Sequence, residues 1–282
     1  MKVVVKVGGT LLETAEDRLR IVEQVARQAR AGHQILLVHG GGKQLTQFLD
    51  RAGVASRFVD GFRVTTAETL DGVVKVFAGT VNHELLATFV RVGLPAVGLS
   101  GIDASCLVAE KLLGPNGQDW GFVGKVVGAN PALWDALSVT GYVPVMACLA
   151  VGKDGQIYNV NADQAAVACA VHWKAERLIF LTDVDGVRDA HGLTVTRLGG
   201  EEIPGLIATG AVTGGMLAKL SAVQEALANH IPGVVIGNGR GEGTLDGVLN
   251  AVPESRVSGT LIVAPLAPAK SQAIEAAVKG VD

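Results

Sequence analysis

The sequence predicts an α/β fold, a three-layer sandwich of helices around a mainly parallel, open sheet. Three observations lead there. Short β-branched runs, such as residues 3–7 and 35–38, are almost continuously apolar, which marks strands covered on both faces. They alternate with stretches of helical period, the order expected of parallel strands joined by helices. Strand after strand also runs into a glycine loop, in a chain with 37 glycines and no collagen-like period.

Taken in order, residues 3–7 form the first strand and GGTLLE ends it. Residues 16–31 place Leu19, Val22, Val25, Ala26 and Ala29 on one helical face, with Gly32 as the stop. Residues 35–38 make the second strand, then come HGGG and a helix over 43–51. A long helix covers 66–92, followed by the strand AVGLS and another glycine loop. Between 106 and 127, short β segments broken by GPNGQDWG predict hairpins near the sheet's edge. Residues 130–141 read as helix and YVPVMACL as one strand. VGKDGQIYNVNADQAA reads as a turn, a short strand and a helix capped by Asn161 or Asp163. RLIFLTDVDGV, a helix through 216–228, GVVIGNGR and GTLIV repeat the strand-then-loop theme. The Ala- and Pro-rich tail from 264 to 282 is expected to end in one helix. The lobe boundary falls near 173–176, dividing the chain into residues 1–174 and 175–282.

Composition excludes several classes of function. A hydrophobic share of 49% against 18% charged residues rules out disorder. A net charge of −3 with no long basic run argues against a nucleic-acid partner. No apolar stretch of membrane-spanning length is free of glycine or charge. The three cysteines, Cys106, Cys148 and Cys169, lack metal-ligand or redox spacing and read as buried small hydrophobes. The first strand begins at the second residue, leaving no room for a signal peptide. A soluble cytoplasmic protein without a membrane partner is the expectation.

The HGGG loop at residues 39–42 fits two chemistries. It resembles the oxyanion loop of an esterase, but that reading needs a serine in G-x-S-x-G, and no such motif occurs. It also fits a phosphate at a helix N-terminus. The standard nucleotide fingerprints are missing: Leu37 and Gln44 break the P-loop pattern around Lys43, and G-x-G-x-x-G is absent. Lys6, inside an otherwise apolar strand beside Gly8 and Gly9, is either an edge lysine reaching water or a cation facing phosphate. Ligands of open α/β sheets bind beyond the strands' carboxyl ends, which favours phosphate. Asn159, Asn161 and Asp163 exceed what one helix cap needs, so Asp163 is a candidate to hold lysines in place. Asp183 and Asp185 in TDVDGV make either a plain turn or part of a site. Gly214 and Gly215 precede a helix with Lys219 one turn inside, as at an anion-binding helix start.

VKVGGT, LVHGGGKQ, DGFRVT, GLSGID, NVNADQAA, TDVDGV and GGMLAKL occur here in the order seen in the amino acid kinase family. The resemblance runs from residue 2 to 263 and is strongest to its N-acetylglutamate kinase branch. It implies the two-lobed amino acid kinase fold and transfer of the γ-phosphoryl group of ATP to the side-chain carboxylate of N-acetyl-L-glutamate, in arginine biosynthesis. By position, Lys6 and Lys219 resemble the lysines that stabilise the transition state from opposite sides, and Asp163 the carboxylate that orients both. The N–H groups of Gly8, Gly41 and Gly42 would contact the phosphoryl group and the substrate. Arg63 would pair with the substrate's α-carboxylate, and Asn159 would meet its acyl amide. Gly8 and Gly9, with Asp183, Val184, Asp185, Gly186 and Thr213, would bind phosphate and nucleotide.

The resemblance also implies ATP with Mg2+ bridging its phosphates, no resident metal, a small-molecule substrate and a homodimer built on the helix over 66–92. Family members inhibited by arginine carry a helix ahead of the first strand, so arginine insensitivity is expected. Three alternatives stay open: an aminoadipyl or glutamyl residue on a carrier protein, N-succinylglutamate as substrate, and a catalytically silent amino-acid sensor on the same fold.

Overall fold

The computed structural model describes residues 1–59, 61–210, 212, 214–250 and 259–264. The expected tail helix lies outside them. The chain opens with β1 (Lys2–Val7), α1 (Ala15–Arg30), β2 (Gln34–His39) and α2 (Gly42–Arg51). The Thr14 hydroxyl caps α1 by accepting from the Asp17 N–H, and Gly32 turns the chain after it at φ +91°. A short antiparallel hairpin follows, β3 (Phe58–Val59) with β4 (Phe62–Arg63). The long helix predicted next is continuous over Ala67–Val92 but not uniform. It runs as α3 (Ala67–Val73), eight residues of wider π-type turns at Val74–Val81, and α4 (Asn82–Val92). By length and composition it is apolar enough to cross a membrane. Here Val73, Val76, Phe77, Val81, Leu85 and Phe89 are buried in the protein core instead.

The remaining elements are β5 (Ala96–Ser100), β6 (Leu107–Leu113), β7 (Asp119–Ala129), α5 (Ala132–Val139), β8 (Val143–Ala147), β9 (Leu149–Val151), β10 (Ile157–Val160) and α6 (Ala162–Trp173). They are followed by β11 (Arg177–Thr182), β12 (Arg197–Gly199), α7 (Ile203–Ala208), α8 (Gly215–Ala228), β13 (Gly233–Asn238), α9 (Thr244–Leu249) and β14 (Thr260–Val263). Eight strands form one sheet in the order β12-β14-β13-β11-β1-β2-β8-β5. Among the described residues, the β13–β14 pair is the only antiparallel one in this sheet. Helices α1, α4 and α9 pack together, as do α6 and α8. The result is the predicted three-layer sandwich, with Val3, Val4, Val5, Leu36, Leu37, Ile179 and Phe180 fully or almost fully buried at its centre.

Two expectations are corrected. The hairpin of β6 and β7 is not an extension of the main sheet: with β9 and β10 it closes into a small four-stranded barrel. YVPVMACL is not one strand, because the chain leaves the main sheet at Cys148 and enters the barrel as β9. Residues 143–150 are buried throughout, so an unbroken apolar run carries no mark of the switch. At the expected lobe boundary, Lys174 takes a left-handed turn (φ +56°) after α6, and the Glu176 N–H donates to the Lys2 carbonyl. β11 then pairs with β1, so the sheet runs unbroken across that boundary.

Candidate active site

β1 is hydrogen-bonded on both sides, to β2 and to β11, so Lys6 is not an edge residue reaching water. Its side chain is 8% exposed, and its Nζ stands 2.6 Å from Oδ1 of Asp163. The other carboxylate oxygen, Oδ2, is 3.6 Å from Nζ of Lys219. Asp163 is free for this task because Asn161, not Asp163, caps α6: the Asn161 side chain accepts from the N–H groups of Asp163 and Gln164. α6 then delivers Asp163 against β1, while α8 brings Lys219 across from the second half of the chain. Burial alone pushes the Asp163 carboxyl up, but the charges of Lys6 and Lys219 outweigh it and hold its pKa below the ordinary value. The cluster therefore carries two cations and one anion, an excess positive charge suited to an incoming phosphoryl group.

The loops after β1 and β2 meet beside this cluster, and a Cβ placed on Gly9 would lie 3.8 Å from the Gly42 nitrogen. Gly41 and Gly42 open α2, where the first N–H groups of a helix have no intrahelical acceptor. Gly8 is different. Its N–H donates to the Leu181 carbonyl at 2.8 Å, which corrects the expectation that this N–H faces the phosphoryl group. Its lack of a side chain still matters, because a Cβ there would press on that same carbonyl at 3.1 Å. Gly41 is tighter still: a Cβ would stand 3.0 Å from both Phe77 and Val81.

Next to the glycines lies a cavity of about 180 Å³ lined by Arg63, Asn159, Phe62, Phe77, Val123 and Leu45 among others. Arg63 is buried and anchored through three of its five N–H groups. Its guanidinium donates to Ser56 Oγ at 2.5 Å, to Thr46 Oγ1 at 2.7 Å and to the Gly42 carbonyl at 3.2 Å. It also lies 4.5 Å from the centre of the Phe58 ring. Asn159 points the same way and donates to Thr65 Oγ1 at 3.1 Å. A planar cation and an amide facing one small apolar-walled cavity suit a carboxylate joined to an acyl amide. Thr46, Ser56 and Phe58 carry no motif signal. Only the tertiary contact reveals that they hold Arg63.

On the other side of β1, the loop after β11 places Asp183 and Asp185 at the surface with Val184 half-buried between them. Burial pushes the Asp183 carboxyl up, but its own N–H, the Thr182 and Thr10 hydroxyls and the Arg240 charge together hold its pKa low. Asp185 accepts from the Asn238 side chain at 2.9 Å. Gly186 is buried at φ +150°, and a Cβ would lie 2.5 Å from Thr260 Oγ1. Thr213 lies outside the described residues. A cavity of about 790 Å³ runs from Asp163 along Gly214, Gly215 and Ser221. Among the described residues, no three His, Cys, Asp or Glu side chains cluster as a metal site. The cysteines are unpaired thiols, and burial pushes Cys106 up to about 11 and Cys148 to about 12, which leaves them inert.

The chain resembles known proteins along almost its whole length. It is 51% identical to acetylglutamate kinase of Solibacter usitatus (strain Ellin6076), over 88% of this chain and 95% of that one. It is 42% identical to acetylglutamate kinase of Methanopyrus kandleri, over 84% and 98%. Among solved structures, N-acetylglutamate synthase of Neisseria gonorrhoeae, in complex with coenzyme A and N-acetyl-glutamate, superposes with a TM-score of 0.82 at 25% identity. That match covers 93% of this chain and 59% of the synthase. The family model described as Amino acid kinase family matches residues 1–237, a span that takes in the glycine loops, Lys6, Arg63, Asp163 and Lys219. By sequence match and by fold, the chain belongs to the amino acid kinase family.

Proposed function

We propose that this protein is an acetylglutamate kinase: it transfers the γ-phosphoryl group of ATP to the side-chain carboxylate of N-acetyl-L-glutamate, giving N-acetylglutamyl 5-phosphate in arginine biosynthesis. The observation that carries this reading is the Lys6–Asp163–Lys219 cluster, standing between two glycine loops and the Arg63 cavity. Relatives named acetylglutamate kinase at 51% and 42% identity support it.

The substrate carboxylate is ionised at neutral pH, so no general base is needed. A carboxylate oxygen bonds to the γ-phosphorus while the bond from that phosphorus to the bridging oxygen breaks, and the electron pair leaves on ADP. The obstacle is repulsion between two anions, which Lys6, Lys219 and the free N–H groups of Gly41 and Gly42 relieve. Asp163 keeps both ammonium groups aimed at the transferring group. Arg63 takes the α-carboxylate through the guanidinium N–H groups that Ser56, Thr46 and the Gly42 carbonyl leave free, and Asn159 takes the acyl amide. Gly9, Asp183, Val184, Asp185 and Gly186 serve the nucleotide side. Magnesium would accompany ATP as part of the substrate and would offset the charge of its phosphates.

The same reading assigns acyl substrate binding to residues 1–174 and nucleotide binding to 175–282. It makes the enzyme a cytoplasmic homodimer joined through Ala67–Val92. Buried, unpaired cysteines suit a reducing compartment. The test is acyl phosphate formation trapped with hydroxylamine, with N-acetylglutamate, N-succinylglutamate and free glutamate in parallel, each with MgATP. Strong product with N-acetylglutamate alone supports the proposal. Product with the succinyl compound would reassign the acyl group, and no product with any would leave a carrier-linked substrate or a silent sensor.

A further inference from the structure

His39 stands in the glycine loop, yet phosphoryl transfer as derived above makes no use of it. It is fully buried at the end of β2. Its Nδ1 lies 2.8 Å from the Gly40 carbonyl, and its Nε2 lies 3.0 Å from the Asn82 side-chain nitrogen. A carbonyl only accepts and the amide nitrogen only donates, so the pair of contacts fixes one neutral tautomer, with the proton on Nδ1. Burial lowers the His39 pKa to about 4, which keeps it in that form at neutral pH.

Asn82 is itself wedged. Its side-chain nitrogen is also 3.0 Å from the Val145 carbonyl, and a Cβ placed on Gly98 would come 2.0 Å from its Oδ1. The wedge is thus built from three strands: β5 leaves the space, β8 accepts one hydrogen bond and β2 supplies the imidazole. The backbone of His39 is held as well, since its carbonyl accepts from Cys148 Sγ at 2.9 Å. On the far side Gly40 faces α6, where a Cβ would stand 3.4 Å from Ala162, the neighbour of Asp163.

We propose that His39 is a positioning residue. Through the hydrogen bond from its Nδ1, it fixes the Gly40 carbonyl and thereby the direction in which the Gly41 and Gly42 N–H groups point. This rests on the kinase reading of the site. A histidine that merely fills the core would do nothing to the loop beyond its contribution to stability.

Two replacements separate these roles. The amide nitrogen of Asn falls where Nδ1 of histidine lies, so His39→Asn keeps the donor to Gly40 and loses the Asn82 contact. His39→Gln reaches only the Nε2 position and loses the donor to Gly40. Steady-state kinetics with MgATP and N-acetylglutamate, thermal unfolding, and hydrogen–deuterium exchange of residues 38–45 in the ligand-free full chain are to be measured on both. The expected result is that His39→Asn keeps kcat within about threefold, while His39→Gln loses roughly 10²-fold in kcat, the cost of a small misplacement of aligned groups. KM for ATP stays unchanged, and exchange in the loop speeds up only in His39→Gln. Parallel losses in the two variants that track their stability, or full activity in His39→Gln, overturn the proposal. A silent wild type would sink the kinase reading alone, because exchange in the loop still tests the positioning. Should His39→Gln fail to fold, His39→Ala carries the test: it removes the donor to Gly40 without adding bulk, and faster exchange in residues 38–45 than in His39→Asn is expected; exchange equal to that of His39→Asn would refute the proposal.

Discussion

Asp163 touches both lysines of the site, and each of those contacts bears on rate and stability differently. Replacing Lys219 with Ala removes one cation facing the phosphoryl group, and kcat should fall by roughly 10²–10³-fold, the usual effect of losing one preorganised donor. KM for N-acetylglutamate should barely move, since that substrate sits on the Arg63 side; a kcat within a few-fold of wild type would remove Lys219 from the transition state. Asp163→Asn leaves buried Lys6 and half-buried Lys219 without their anion, and breaking such a buried pair costs about 3–5 kcal/mol. Urea denaturation at pH 7 measures it. Arg63→Lys keeps the charge but loses the fork that Ser56, Thr46 and the Gly42 carbonyl hold in place. KM for N-acetylglutamate should rise about tenfold or more with kcat little changed, and an equal loss in kcat would contradict a purely binding role.

At the scale of elements, the site depends on how tightly the long helix Ala67–Val92 sits against the loop after β2. Phe77 and Val81 in its wider turns press on Gly41, and Asn82, the next residue, holds His39. Gly98 is the test of that packing. Gly98→Ala would force a methyl to within 2.0 Å of Asn82 Oδ1 and 2.7 Å of Leu86, so it should destabilise the fold by about 1–3 kcal/mol and lower activity with it. Thermal unfolding alongside the hydroxylamine assay reports both, and a neutral outcome would show that α4 shifts freely. Most elements were legible in the sequence because apolar period and glycine stops agree along the chain, as with the Gly32 stop after α1, whereas the Thr14 cap of that helix emerged only from the structure. The π-type turns were not, since they share the apolar stripe of the helices around them. Nor was the strand switch at Cys148, where burial on all sides erases any alternation.

Across the whole molecule, buried ionisable groups set how stability depends on pH. The unfolded chain protonates its histidines near pH 6.5, whereas native His39 resists until about 4. Stability from this group is therefore lost as pH falls between those values, by about 3 kcal/mol in all. Asp163 adds to the acid side. Its native pKa is depressed, so its contribution is present above the ordinary carboxylate value and lost as pH falls through the native one. Denaturation curves at pH 7, 5.5 and 4.5 should show a decline that His39→Asn flattens; an equal slope in both proteins would place the proton uptake elsewhere. The proposed dimer belongs to the same scale. Sedimentation of the purified chain should give twice the monomer mass.

The sequence by itself determined the fold class, the order of nearly all strands and helices, and the set of polar residues at the strands' carboxyl ends. These follow from local rules: continuous apolar runs for covered strands, helical period, and glycine wherever backbone must come close to something. What it left open were choices that depend on partners distant along the chain. Whether Lys6 reached water or an anion was decided by β1 being paired on both sides and by Asp163 arriving 157 positions later on α6. Whether Asn161 or Asp163 capped that helix was decided by which side chain the lysines claimed. The Gly8 N–H was claimed by Leu181, and His39 by Asn82, through contacts between strands and helices that no local pattern encodes. A hydrogen bond or an ion pair is a property of two positions in space, and only the tertiary structure brings those positions together.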